Sequence, residues 1–183
     1  MLYFATSNRG KLREAAAILG LPIEQIDVDL AEIQALDVEV VVREKAIAAY
    51  RATGKPVLVD DTGFYVEAWH GLPGALVRWF VQTVGPAGIC RMLDGVASRA
   101  VVARTAVALF DGSETIVSSG EVRGEVPPAP IGAGGFGWDA IFRPEGSDKT
   151  FAEMGDEEKN AHSMRRIALE GLRGRLAGEV GEA

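Results

Sequence analysis

A single cysteine, Cys90, stands in a chain of 183 residues. One thiol forms no intramolecular disulfide and builds no cysteine-rich metal site, and its scarcity fits a reducing cytoplasm. Its neighbours in GICRML are mixed apolar and helical, so Cys90 reads as a small core residue rather than a nucleophile. Cations are also in short supply: 19 Lys and Arg against 26 Asp and Glu leave a formal net charge of −7. General nucleic-acid binding needs a basic footprint, so that class is set aside. A small anionic ligand is not excluded, because a local group of cations or a bound metal overrules the global sign. No apolar run approaches a membrane span, and the opening MLYFA is too short for a secretory signal and runs at once into TSNRGK. The expectation is a soluble, cytoplasmic protein with no membrane partner. There is no internal repeat and no low-complexity linker. A length of 183 residues fits one compact domain, with two lobes possible but not two independent cores.

With 48% hydrophobic and 25% charged residues the chain can bury a sizeable core. LYFA reads as a short strand, TSNRG as a loop, and KLREAAAILG as a helix with Leu12, Ala15, Ala16 and Leu19 on one face and Gly20 as its stop. A strand is expected over 22–28, followed by an acidic loop through Glu32 and Asp37. A helix over 38–53 follows, with Val42, Ala46, Ala49 and Tyr50 on one stripe and Gly54 at its end. The apolar run Val57 to Val59 stops on two aspartates. After the loop HGLPGAL come an aromatic-bearing helix, LVRWFVQTV, and a second helix opened by Pro86. Two long strands around Asp111-Gly112 then read as a hairpin, PPAPIGAGGFGWD as a loop, and AIFRP as another strand. Asp156 is the expected cap of a final helix. Strands alternating with helices and then a hairpin describe a mixed α/β sheet with flanking helices.

Four places carry candidate chemistry. In SNRGK, a strand leading through a polar turn into a helix aims backbone N–H groups and the positive helix end at one point, with Lys11 as a mobile cation. The P-loop spacing is absent, and a capped surface turn is the alternative. In VLVDDTG the acids Asp60 and Asp61 fall at the expected carboxyl edge of a buried strand, where open α/β sheets collect ligands. Adjacent residues on an extended chain face opposite ways, so one is expected to face a ligand and the other to anchor structure. Carboxylate oxygens suit Mg²⁺, which takes one or two protein carboxylates plus phosphate oxygens and water. Glu32 and Glu44 are candidate second acids; Glu44, beside Arg43 and Lys45, also fits a solvated charged face. In GAGGFGWDAIF, Phe136 and Trp138 can stack on a heterocyclic base or plug the core, and Asp139 can accept from ring N–H groups. On the final helix Ala161, Met164, Ala168 and Leu172 make an apolar stripe, with Lys159, His162, Ser163, Arg165 and Arg166 as polar neighbours.

The segments FATSNRGKLRE, VLVDDTGFYVEAWHGLPGA, GGFGWDAIFRPEG and KTFAEMGDEEKNAHSMRRIAL resemble, in this order, the inosine-triphosphate pyrophosphatase family of non-canonical purine nucleoside triphosphate pyrophosphatases. The resemblance runs nearly the full length, and GLPGALVRWF with Trp138 looks most like its eukaryotic and archaeal-type members.

The resemblance implies an elongated mixed α/β fold with two lobes around a central cleft, residues 1–183 forming one two-lobed domain, and a homodimer. It implies hydrolysis of ITP, dITP and XTP to the monophosphate and pyrophosphate, with Mg²⁺ as cofactor. Thr6, Ser7, Asn8 and Lys11 would hold the triphosphate. Asp61 would act as catalytic acid–base and metal carboxylate, Glu32 as the second metal ligand, with Thr62 beside the substrate and Arg78 where relatives carry a phosphate-facing lysine. Phe136, Gly137, Trp138 and Asp139 match the base-pocket motif, and Lys159 and Arg165 match cations of the final helix. One departure stands out: family members typically read Ser-His-Arg where this chain reads Ser163-Met164-Arg165. On a continuous helix His162 lies about 200° from Met164, so it does not replace the missing imidazole. The expectation is weakened discrimination against ATP or GTP. A pyrophosphatase with shifted base preference, or a nucleotide-binding regulator without turnover, are the alternatives.

Overall fold

The computed structural model describes residues 1–6 and 8–177 of the chain. Its strands are β1 (Leu2–Ala5), β2 (Ile23–Ile26), β3 (Val57–Val66), β4 (Pro73–Gly74), β5 (Ala100–Phe110), β6 (Thr115–Glu125) and β7 (Arg143–Pro144). Its helices are α1 (Arg9–Leu19), α2 (Val38–Thr53), α3 (Val77–Thr83), α4 (Gly85–Met92), α5 (Asp156–Ala161) and α6 (Met164–Leu176). The strands form one mixed sheet in the order β2-β1-β3-β5-β6-β7, with β4 paired to β3. β1 runs parallel to β2 and β3, while β3–β4 and β6–β7 are antiparallel. The chain divides into two units: the first holds Met1–Thr62, Thr105–Gly120 and α6, the second Gly63–Arg104 and Glu121–Ser163.

In the first unit, Phe4 and Leu58 from the sheet pack with Ala15 and Leu19 of α1 and Ala168, Leu169 and Leu172 of α6. The side chains of β3 alternate. Within the first unit Leu58 and Asp60 therefore share the α1 and α6 side, and Val57, Val59 and Asp61 face the other way. Gly120 of β6 permits the close approach of α6: a Cβ there would stand 2.4 Å from the carbonyl oxygen of Met164. In the second unit an aromatic group fills the core, with Phe64 and Trp138 centroids 4.9 Å apart and Phe142 and Phe151 4.8 Å apart.

Several expectations change. α1 starts at Arg9 because Asn8 caps it, its side chain accepting from the Gly10 and Lys11 N–H groups. The strand expected over 22–28 shortens to Ile23–Ile26. β3 does not stop at the aspartates; it continues to Val66, because Phe64 and Val66 extend the apolar pattern and are fully buried. The strand expected at AIFRP is a 3-10 turn over Asp139–Ile141 followed by the two-residue β7. Asn8-type capping is not repeated at Asp156, which lies inside α5 behind Gly155. The expected last helix is two helices. His162 and Ser163 N–H groups bond back three residues, to Lys159 and Asn160, tightening and ending α5 before α6 begins at Met164.

Candidate active site

The alternation of β3 sends its two acids into different company. Asp60, 5% exposed, lies on the α1 and α6 side. Its carboxylate receives Lys11 Nζ at 2.9 Å and Arg165 Nε at 3.1 Å. Burial alone would raise the Asp60 pKa, but Lys11 and Arg165 hold it well below the usual carboxylate range. Arg165 also pairs with Glu14 at 3.5 Å. Arg165, expected as a substrate-gripping cation, is engaged by two carboxylates here, and its guanidinium joins α6 to β3 and α1.

Asp61 points the other way, toward α2. Burial pushes its pKa up to about 6; Glu32 and Asp60 add to the rise, and Lys45 and the Thr62 N–H oppose it. Glu32 forms an ion pair with Lys45, whose Nζ also donates to the Asp60 carbonyl oxygen at 3.4 Å. Glu44 and Glu32 are both exposed, but it is Glu32 that pairs with Lys45 and raises the Asp61 pKa. Thr62 shares a hydroxyl–hydroxyl bond of 2.9 Å with Thr105.

Among the described residues Asp61 has no ion pair, and no three His, Cys, Asp or Glu side chains stand close enough together to hold a metal alone. A half-buried, unpaired carboxylate beside a second acid fits a hard divalent cation that takes one or two protein carboxylates and fills its other positions with phosphate and water. At the start of α1, Thr6 Oγ1 accepts from the Asn8 N–H at 3.1 Å, and Lys11 follows on the first turn. Ser7 lies outside the described residues.

In the second unit, Asp139 is buried. Its Oδ2 accepts from the Phe136 N–H at 2.8 Å and from Lys159 Nζ at 2.6 Å. Asp139 thus holds the loop through Gly137 and the Lys159 side chain. Gly135, at φ 71°, has no room for a side chain: a Cβ would meet Asp139 Oδ2 at 2.2 Å. Lys159 Nζ lies 4.9 Å from the ring centroid of Phe136, which is 60% exposed. Trp138 packs 5.4 Å from Phe142, so of the two aromatics Phe136 is the one that offers a face to solvent. Arg78 is exposed on α3. A cavity of about 490 Å³ in this unit is bordered by Arg99, Arg123, Glu125, Arg143 and Glu145, and by none of the expected site residues. Arg99 spends its guanidinium on the carbonyls of Cys90, Leu93, Val126 and Pro127.

The break between α5 and α6 also overturns the helical-angle argument about His162. His162 ends α5 in the second unit and Met164 opens α6 in the first. Met164 is 6% exposed and packs in the core, so it presents almost no surface to a ligand. Two residues escaped the sequence reading, Lys45 and Glu14. Lys45 carried a signal: it continues the stripe Val38, Val41, Val42, Ala49, whose other members are buried. Glu14, on a helix rich in alanine, carried none.

A mixed α/β sheet carries a cation-paired acid and an unpaired acid side by side on one strand, the setting of an α/β hydrolytic enzyme rather than of a purely structural protein. The chain belongs to the Ham1 family, whose sequence profile matches residues 2–175. It is similar to an inosine triphosphate pyrophosphatase of Trypanosoma cruzi, 44% identical over 92% of this chain and 88% of that protein. It is also similar to a dITP/XTP pyrophosphatase of Pyrobaculum aerophilum, 41% identical over 92% of this chain and 91% of that protein. Among solved structures, the Ham1 protein of Staphylococcus aureus superposes with a TM-score of 0.86 at 28% identity, covering 97% of this chain and 98% of that one.

Proposed function

We propose that this protein hydrolyses non-canonical purine nucleoside triphosphates (ITP, dITP and XTP) to the nucleoside monophosphate and pyrophosphate, and so removes deaminated purines from the nucleotide pool. The observation that carries this reading is Asp61: a half-buried carboxylate, raised to about 6, beside Glu32 and Lys45. The printed activities of the Trypanosoma and Pyrobaculum relatives, similar over nine-tenths of this chain, support the choice of substrate.

In the reaction, water attacks the α-phosphorus and the bond to the bridging oxygen breaks, releasing pyrophosphate. Asp61 is ionised at pH 7 to 8, and orients the water and accepts its proton. Asp61 and Glu32 would hold Mg²⁺, which would neutralise phosphate charge when bound. Lys11 and the N-terminal end of α1, with Thr6, Ser7 and Asn8, receive the triphosphate. Phe136, propped by Lys159, offers its face to the purine, with Gly137, Trp138 and Asp139 shaping the loop. Arg78 and Thr62 border the substrate. Inosine and xanthosine carry a carbonyl where adenosine has an amine, so donors at that edge reject adenosine by going unpaired. We further propose a homodimer in the cytoplasm with no nucleic-acid partner; the acidic net charge of −7 supports the last point, and among the described residues no helix is long and apolar enough to cross a membrane.

The test is a panel of nucleoside triphosphates with pyrophosphate detection, with and without Mg²⁺. Pyrophosphate release from ITP, dITP or XTP well above that from ATP, and only with the metal, is expected. Equal rates on all nucleotides, or none on any, would sink the proposal.

A further inference from the structure

Lys11 and Arg165 come from helices far apart in sequence, 49 and 105 residues from Asp60, and meet on that one carboxylate. The three side chains are layered. Asp60 keeps 4% of its surface, whereas Lys11 keeps 21% and Arg165 13%, so the cations lie outward of the acid. Glu14 completes the group as the second carboxylate of Arg165. Two cations over two carboxylates are charge-neutral, and neither cation is free to attract an anion at full strength. The Asp61 face adds Lys45, which is itself paired to Glu32.

From this arrangement we infer that Asp60 is a positioning residue that acts as an internal competitor for phosphate. It preorders Lys11 and Arg165 and releases them only to an anion of higher charge density than its own carboxylate. A polyphosphate chain, with several charged oxygens, takes the cations over. A monophosphate ester, with one phosphoryl group, does so poorly. Asp60 therefore biases the site toward triphosphate entry and monophosphate departure, and it limits product inhibition. The inference rests on the reading of Lys11 as part of a phosphate site.

The experiment is calorimetric titration of inorganic pyrophosphate and inosine monophosphate into the natural protein and Asp60→Asn, with thermal unfolding as a check on folding. Removal of the buried charge frees both cations, so the variant is expected to bind inosine monophosphate about tenfold tighter, the scale of a partly screened charge contact, while pyrophosphate, which already displaces Asp60, gains less. Inhibition of turnover by the monophosphate should strengthen in parallel. A purely structural role predicts weaker binding through disorder, the opposite sign. A second measurement needs no variant: the Arg165 Nε–H resonance of the natural protein should shift when pyrophosphate is added. Inosine monophosphate binding with unchanged or weaker affinity in Asp60→Asn, or pyrophosphate binding to the natural protein with an unmoved Arg165 signal, overturns the inference alone. If the natural protein binds neither pyrophosphate nor ITP, the phosphate-site reading falls and takes this inference with it.

Discussion

Asp60 and Asp61 are consecutive on β3 and face opposite sides of the sheet, and their acidities are driven in opposite directions. Asp60 is buried under Lys11 and Arg165 and is held ionised. Asp61 is desolvated without an ion pair and titrates near 6. One strand thus carries a fixed charge and a titrating one, which is the division of labour expected of paired carboxylates at a reaction centre.

Replacing Asp61 by Asn separates its catalytic role from its effect on stability. The variant should lose turnover about 10²–10⁴-fold. Its folded pKa, about 6, lies above the unfolded value of 3.8, so the native state holds the proton more tightly. Stability from this group is fully present below pH 4 and is lost as pH rises through 6. Above pH 6 the ionised acid costs at most about 3 kcal/mol, which Asn avoids. In metal-free buffer the Asn variant should therefore melt several degrees higher than the natural protein at pH 8, with no difference below pH 4. A lower melting temperature at pH 8 would contradict the burial argument.

Lys45 lowers the Asp61 pKa and fixes Glu32. In metal-free buffer Lys45→Met should raise the Asp61 pKa above about 6, so that an NMR titration of its carboxyl carbon moves to higher pH. An unmoved titration would show that Lys45 acts on folding or on substrate and leaves the Asp61 carboxyl alone.

The loop from Gly135 to Asp139 is held by one acid. Asp139→Ala strands the Phe136 N–H and the Lys159 ammonium, and the loss of these bonds, at 2.8 and 2.6 Å, should lower stability by about 1–3 kcal/mol. Because Phe136 is positioned by the same acid, KM for ITP should rise more than kcat falls. Trp fluorescence should report the disturbance through Trp138. An unchanged KM would separate this loop from substrate binding.

The sequence pattern revealed α2 to the residue, because Asp37, the apolar stripe and Gly54 all agree on Val38–Thr53. It revealed the hairpin of β5 and β6 as well, where Asp111 Oδ1 accepts from the Ser113 and Glu114 N–H groups. It misplaced the end of β3, since two adjacent acids look like a strand edge until their partners are known. Lys11 and Arg165 supply one set of partners from across the fold, which no local window contains. The break at His162 and Ser163 was hidden for a related reason. Its signal, a serine ahead of a new apolar stripe, lay within a run that reads as uninterrupted helix. The pairing of Arg165 with Asp60 and Glu14, and of Asp139 with the Phe136 N–H and Lys159, was not legible, because each joins residues distant in sequence or bonded through a loop.

Met164 tests how far burial outweighs recognition. An imidazole placed there by Met164→His enters a position that is 6% exposed, and an unpaired buried polar group costs about 1–3 kcal/mol, so the melting temperature should fall by about 3–10 °C. A donor that instead turns outward to the purine 6-carbonyl discriminates between carbonyl and amine by tenfold or more. Tenfold is about 1.4 kcal/mol, so the two effects are of similar size, and α6 begins at this residue, where backbone constraint is least and the side chain can turn outward. The expected outcome is a less stable variant whose ITP-to-ATP rate ratio rises at least fivefold over that of the natural protein. Steady-state rates on both nucleotides, measured with the melting curve, decide it: a fall in stability with no change in the ratio makes position 164 a core position alone, and the weak discrimination expected from Met164 would then have no basis.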